Sequence, residues 1–212
     1  MKLKYTLLAV LGLAATSHAA TVVTTANQVT PYTVSSTDLI NGMTPSVIGG
    51  GPFTNERAAG ESALTNGTYL TSTVDSFATG GQFAGTFLTY VFTTTNISSV
   101  DVYGGWANNG RDELNFTLEF SSDGGTSFGS PIASGSFNPI VANNITSATK
   151  VSISDSVGDL ATGVNAMRIN FLPAENFWTG YAEVDVLAIP EPSSLFLLGL
   201  GGVAAMGFRR RK

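Results

Sequence analysis

Leu195 to Phe208 is a run of 14 residues without a charge, and it ends against four consecutive cations, Arg209, Arg210, Arg211 and Lys212. As a helix this run spans about 21 Å, short of a hydrocarbon core of roughly 30 Å. Including Ser193 and Ser194, and letting the arginines snorkel, brings it to the lower limit for spanning a bilayer. Ahead of it, Pro190 and Pro192 bracket Glu191. Each proline fixes its own φ and restricts the residue before it, so this segment is extended and separates the run from whatever precedes it. Four terminal cations favour a cytoplasmic C-terminus, which puts the preceding domain on the far side of the membrane. The other reading, a buried core helix with a basic end, suits a chain terminus of four cations poorly.

The opposite end is equally directive. Lys2 and Lys4 form a charged start, Leu7 to Ala15 a short apolar run, and Ser17-His18-Ala19 supplies small residues where a signal peptidase reads. This pattern predicts a secretory signal peptide over residues 1–19, cut after Ala19. The chain then divides into residues 1–19, an exported domain over 20–189, and a C-terminal sorting segment over 190–212.

Removing both ends changes the chemistry of what remains. Between residues 21 and 189 the cations are Arg57, Arg111, Lys150 and Arg168, against fourteen acids, a net charge of about −10. Phosphate contacts need a basic face, so nucleic acid is excluded as a partner. The single histidine, His18, lies in the signal, and there is no cysteine. The exported domain therefore cannot run Ser-His-Asp or Cys-His catalysis, form a disulfide, or build a zinc site of the usual ligands. An oxygen-only calcium site stays open to it.

About 170 residues make one domain of ordinary size. Thr, Ser, Gly, Asn, Val and Phe dominate it, a composition that favours strands and turns. The patterning agrees. Thr21 to Ser36 holds two β-branched runs split by Asn27-Gln28 and Pro31. Phe83 to Thr93 is a strand candidate rich in aromatics and Thr. Val100 and Val102 alternate with Asp101 and Tyr103. Phe116, Leu118 and Phe120 alternate with Thr117 and Glu119. Met167, Ile169 and Phe171 alternate with Arg168 and Asn170, and Ala182, Val184 and Val186 with Glu183 and Asp185. Turn signals punctuate them, at Ile48–Pro52, Asn66-Gly67 and Ser122-Asp123-Gly124-Gly125. Repeated half-apolar strands predict an all-β antiparallel sandwich with one solvated face per sheet.

Two resemblances add to this reading. Pro190-Glu191-Pro192, the short Leu/Gly/Ala-rich span and the terminal Arg-Arg-Arg-Lys resemble the PEP-CTERM sorting signal of Gram-negative bacteria. The resemblance implies recognition by an exosortase, a membrane cysteine protease-like transpeptidase. It also implies transient residence in the inner membrane, removal of the tail near Pro-Glu-Pro, and release or attachment at the cell surface of a bacterium that makes exopolysaccharide and biofilm. Within the domain, LTNGTY at 64–69, VDVYGGWANNGR at 100–111, FTLEFSSDGGTSF at 116–128, AMRINF at 166–171 and GYAEVDVLA at 180–188 resemble, in this order, the galactose-binding-like jelly roll of discoidin-type and carbohydrate-binding modules. That family implies a structural calcium joining an early turn to the last strand. The matching positions are Asn66 and Glu183, with Asn66 standing where the family more often has Asp.

Candidate chemistry follows. Trp106, Asn108, Asn109 and Arg111 in one loop, with Trp178 in another, could offer an apolar platform and polar tips to a sugar; equally, the two tryptophans could plug the ends of the core while Asn108-Asn109-Gly110 makes a turn. Glu183 could ligate calcium or be a solvated acid. For glycoside hydrolysis, Asp112 and Glu113 are adjacent and would face opposite ways on a strand, while Asp155 and Asp159 suit a polar loop. The sequence thus reads as an exported noncatalytic protein of the cell surface or exopolysaccharide matrix, with a carbohydrate-binding module as the alternative and a carboxylate hydrolase as a second alternative.

Overall fold

The structure, a computed structural model, describes residues 21–50, 53–54, 60–69, 77–80, 85–105, 112–139, 148–174 and 178–189. The expected signal peptide, the Pro190-Glu191-Pro192 motif, the apolar run and the Arg209–Lys212 cluster lie outside these residues, as do Trp106, Asn108, Asn109 and Arg111. Among the described residues no helix is long and apolar enough to cross a membrane.

The described residues form ten strands: β1 (Thr21–Gln28), β2 (Val47–Gly49), β3 (Phe53–Thr54), β4 (Phe77–Gly80), β5 (Thr86–Gly104), β6 (Leu114–Ser121), β7 (Ala133–Phe137), β8 (Ala148–Asp155), β9 (Ala161–Phe171) and β10 (Trp178–Ala188). A short 3₁₀ segment, Gly60–Thr65, follows β3. Every pairing among them is antiparallel. The expected all-β architecture forms, with one change in how it is assembled. The strand candidate at Phe83–Thr93 and the alternating stretch at Val100–Val102 belong to a single 19-residue strand, β5.

That strand is the hinge between two layers. Its first half pairs with β9 and β2, as in Leu88↔Ile169 and Thr89↔Val47. Its second half pairs with β8 and β10, as in Val102↔Val151 and Val102↔Val184. Register shifts between Val91, Thr95 and Ile97 mark the corner where it changes partners. Bulges of this kind bend a strand and let it pass from one sheet to another. One layer is then β2-β5-β9-β6-β7 and the other β1-β8-β5-β10-β4-β3. After the β6–β7 hairpin, successive strands alternate between the layers, the winding of a jelly roll.

Period-two alternation fills the space between. Leu88 and Tyr90 of β5, Phe116 and Leu118 of β6, and Met167 and Ile169 of β9 pack in one cluster with Val100, Val102, Val151, Ile153, Val184 and Val186 of the other layer. Burying each such side chain stabilises the fold by about 1.5–3 kcal/mol. Tyr181 ties the layers together: its ring centroid lies 4.6 Å from that of Phe171 and 6.5 Å from that of Phe116. Its hydroxyl accepts from the Asn115 N–H and donates to the Asn115 carbonyl, each at 3.0 Å.

The expectation of one solvated face per sheet fails on β10. Val184 and Val186 are buried as anticipated, but so are Glu183 and Asp185, at 0 % and 2 % exposure. The cause is a strap, residues 29–46 between β1 and β2, that runs beside β10, bonding the Val186 backbone through Leu39 and Asp38 and reaching Asp185 through the Ser35 N–H. Leu39 N–H donates to the Val186 carbonyl at 2.9 Å, Ile40 is wholly buried, and Leu39 and Met43 pack against the core. A second covering segment, residues 60–69, locks onto the strap where Thr65 Oγ1 donates to the Met43 carbonyl at 2.7 Å. Two irregular segments thus roof a sheet face that alternation alone would leave wet.

Candidate metal centre

Cross-strand register sets the residues under this roof. Glu183 pairs with Tyr103, which pairs with Lys150; Asp185 pairs with Asp101, which pairs with Ser152. Directly paired residues share a face, so these six line the outer side of one sheet. The bulge between Tyr181 and Glu183 lets Tyr181 point inward while Glu183 points out beneath the strap. The strap then adds Asp38. Four carboxylates and one ammonium therefore meet in a largely dry layer.

Lys150 neutralises one of them. Its Nζ lies 2.6 Å from Asp101 Oδ2 and 5.2 Å from the centre of the Tyr103 ring. Tyr103, Tyr69 and Tyr32 form a cluster with centroids 5.8–6.2 Å apart, which shields the pair from solvent. Tyr69 donates its hydroxyl proton to the Gly104 carbonyl at 2.6 Å. Burial raises the Tyr103 hydroxyl pKa, and the charges of Asp101 and Asp185 raise it further, so it stays protonated.

Among the described residues, Asp38, Glu183 and Asp185 have no such counter-ion. Each offers a carboxylate oxygen within 4.8 Å of the other two. Backbone donors hold one oxygen of each. Glu183 Oε1 accepts from the Gly67 N–H at 3.1 Å, Asp185 Oδ2 from the Ser35 N–H at 2.8 Å, and Asp38 Oδ1 from the N–H groups of Ile40 and Val186 at 3.0 and 3.3 Å. Among the described residues, the second oxygen of each, Asp38 Oδ2, Glu183 Oε2 and Asp185 Oδ1, is buried with no hydrogen-bond partner at ordinary distance, although the Tyr103 hydroxyl lies close enough to the Asp185 carboxylate to favour its charge. Leaving a buried carboxylate oxygen unmatched is costly, more so than for a neutral group.

The electrostatics record this mismatch. Burial pushes the Glu183 pKa up to about 8; the charges of Asp185 and Asp38 add to the rise, and the N–H groups of Gly67 and Asn66 oppose it. Asp185 is pushed up to about 6, again chiefly by burial, against the opposing Ser35 N–H. Burial raises Asp38 as well. Three acids that disfavour their own charge are gathered where a proton or a cation relieves them.

This donor set fits a hard divalent cation. All three ligands are carboxylates, the oxygen type calcium prefers, and none is His or Cys. Two ligands of one calcium, each at about 2.3–2.6 Å, can stand at most about 5 Å apart, and oxygens that all lie within 4.8 Å of one another meet that limit. Bound there, calcium would supply charge neutralisation and a joint between the strap and β10.

Of the residues singled out by sequence, Glu183 sits at the centre of this cluster. Asn66 lies in the adjacent turn, but its exposed Oδ1 accepts from both the N–H and the hydroxyl of Thr68. Gly67, at φ 70, allows the tight turn that delivers its own N–H to Glu183. Sequence reasoning did not single out Asp38 or Asp185 as ligands. Asp185 had a signal, being two residues from Glu183 and therefore on its face; Asp38 had none, because it comes from an irregular strap nearly 150 positions away. Trp178 opens β10 opposite Gly80, remote in register from Glu183. The acids weighed for hydrolysis serve loops: Asp155 Oδ1 accepts from the N–H groups of Val157 and Gly158, Asp159 Oδ2 accepts from the Asn96 amide, and Asp112 and Glu113 precede β6.

No curated protein matches the chain. Among solved structures it is similar to the family 32 carbohydrate-binding module of Streptococcus pneumoniae EndoD, at 14% identity and TM-score 0.47, covering 71% of this chain and 98% of that one. It is also similar to a family 32 module produced by Clostridium perfringens, at 17% identity and TM-score 0.44, covering 72% and 100%. The lectin domain of lectinolysin is a third, at 14% and 0.44, covering 74% and 100%. Residues 188–212, beginning at the last residue of β10, match the PEP-CTERM protein-sorting motif, and with it go export, exosortase processing and sorting to the cell surface.

Proposed function

We propose that this chain is a noncatalytic cell-surface domain, delivered through exosortase processing of its tail and held closed by a calcium ion on Asp38, Glu183 and Asp185. The observation that supports it is the convergence of three buried carboxylates, each with an unpartnered oxygen, in a chain whose exported part is strongly acidic. The role is structural and adhesive: an acidic, disulfide-free sandwich at the bacterial surface or in its exopolysaccharide matrix. Titration calorimetry on the full chain in detergent tests the site. Saturable calcium binding that Asp185→Asn abolishes, and that magnesium does not reproduce, is the expected result. Calcium binding left intact by both Asp185→Asn and Glu183→Gln would refute it.

Carbohydrate recognition by Trp106, Asn108, Asn109, Arg111 and Trp178 is the second proposal, motivated by the aromatic and amide side chains these segments combine. Retention on matrix polysaccharide that is lost in Trp106→Ala or Trp178→Ala, with calcium binding unchanged, would support it. Absence of glycan binding in the presence and absence of calcium would remove it.

A further inference from the structure

The layer β1-β8-β5-β10-β4-β3 ends in two edges of different kinds. β3 is two residues long, and the edge strands of the other layer, β2 and β7, are three and five. Short edges protect themselves from pairing with other chains. β1 is eight residues long and runs in unbroken register with β8, from Thr21↔Asp155 to Gln28↔Ala148, with no bulge to turn it away. Its sequence, Thr-Val-Val-Thr-Thr-Ala-Asn-Gln, has no charge, proline or glycine, so the usual devices that blunt an edge are missing. Among the described residues β8 is its only partner strand, so every second residue of β1 turns its backbone N–H and C=O away from β8 with no described strand to receive them. Contact with the other layer is made at the Thr21 end, where Oγ1 donates to the Ile132 carbonyl at 3.4 Å. The core also stops short of β1. Val23 and Thr25 stand opposite Ile153 and Val151, which are wholly buried, yet both are exposed, Val23 at 41 %.

We propose that β1 pairs antiparallel with the β1 of a second copy of this chain, joining two six-stranded layers across a two-fold axis. Charge and sequence favour a copy over another partner. Residues 21–189 carry a net charge of about −10, so two copies repel over most of their surfaces, but Thr21 to Thr37 is free of charge. The acid nearest in register, Asp155, lies on β8, one strand in from the edge and opposite the start of β1. A two-fold axis perpendicular to the sheet keeps each face continuous, so residues of one face must meet residues of the same face. Centred on Thr24, it sets Thr24 against Thr24, Val23 against Thr25 and Val22 against Ala26. These pairs are β-branched or small and oppose no like charges, the combination that stabilises an antiparallel ladder. Val23 and Thr25 share the face of Ile153 and Val151, so the pairing carries the core past β8 and covers side chains that the monomer leaves wet. A slip of one residue would set the two faces against each other and lose that gain. The contact does not involve the carboxylate cluster, so it forms with or without calcium.

Sedimentation of the full chain in detergent tests this at about 100 µM, where an interface of micromolar Kd is saturated. The wild type is expected as a dimer. Thr24→Glu and Thr24→Lys each place like charges at the two-fold axis and should raise the dimer Kd at least tenfold; Thr24 is exposed, so neither change disturbs the fold. An equimolar mixture of the two variants should dimerise again, because Glu then faces Lys. The chain has no cysteine, so Thr24→Cys alone should yield a disulfide-linked dimer, while Val91→Cys, exposed on the other layer, should not. A wild type that stays monomeric, a dimer that survives both charged variants, or a mixture that fails to reassociate overturns the proposal; the second of these assigns the association to another surface, such as the apolar tail. Slow hydrogen exchange of every β1 amide in monomeric Thr24→Glu would overturn it too, since a segment of the same chain would then cover the edge.

Discussion

Glu183→Gln changes one atom type in a side chain that is wholly buried, and its effect can be worked out from the structure. In the unfolded chain Glu183 ionises at its ordinary 4.5; in the folded, metal-free domain it ionises at about 8. Below pH 4.5 both states hold the proton and the group contributes no slope. Between 4.5 and 8 the unfolded state has released it and the folded state has not, so stability falls as pH rises, by about 1.4 kcal/mol per pH unit. Above 8 the loss is complete, on the order of 5 kcal/mol. Asp185 behaves likewise over 3.8 to about 6, so its contribution is largely complete by pH 6.5, while Asp38 shifts in the same direction as Glu183. From pH 6.5 to 8.5 the wild type in EGTA should lose about 2 kcal/mol from Glu183, a fall in urea midpoint of about 1 M for an m-value near 2 kcal/mol/M. Glu183→Gln keeps an oxygen that can accept from Gly67 and has no proton to lose, so its midpoint should fall less with pH and exceed the wild type at pH 8.5. Urea unfolding followed by circular dichroism reads both quantities. Calcium should reverse the wild-type slope, because the ion takes ionised ligands. A wild-type midpoint unchanged between pH 6.5 and 8.5 in EGTA, or a variant midpoint that falls in parallel, would refute the reasoning.

Other perturbations separate the parts of the fold. Lys150→Met should leave Asp101 half-sealed without a counter-ion and destabilise the domain by about 1–3 kcal/mol, with Asp101→Asn in the same background restoring part of the loss in urea titrations. Tyr181→Phe removes both hydrogen bonds to the Asn115 backbone in the sealed core and should cost about 1–3 kcal/mol by the same measurement. Gly104→Ala would drive a methyl group into both the Gly180 carbonyl oxygen and Leu114 Cδ2, so thermal unfolding should show about 1–3 kcal/mol of destabilisation; an unchanged melting temperature would contradict the tight β5–β10 contact.

Much of this protein is decided by local pattern. Alternation at Phe116–Phe120, Met167–Phe171 and Ala182–Val186 is a property of neighbouring residues, and a period of two commits each stretch to a strand with one face inward. The sorting tail is likewise local, since its order of prolines, apolar run and cations is legible without any fold; the match over residues 188–212 agrees. The absence of His and Cys from residues 20–189 closes off whole classes of chemistry by composition alone. What alternation cannot convey is which outward face meets water. Glu183 and Asp185 have the pattern of solvated residues, yet a strap from another part of the chain lies over them. The passage of β5 between two layers escapes the sequence for the same reason, because a strand's local pattern is silent on its partners. The joining of Asp38 to Glu183 across nearly 150 positions depends on long-range packing alone. The candidate metal centre therefore exists only in the tertiary structure, where packing brings three acids of separate segments within reach of one another and burial raises their pKa values.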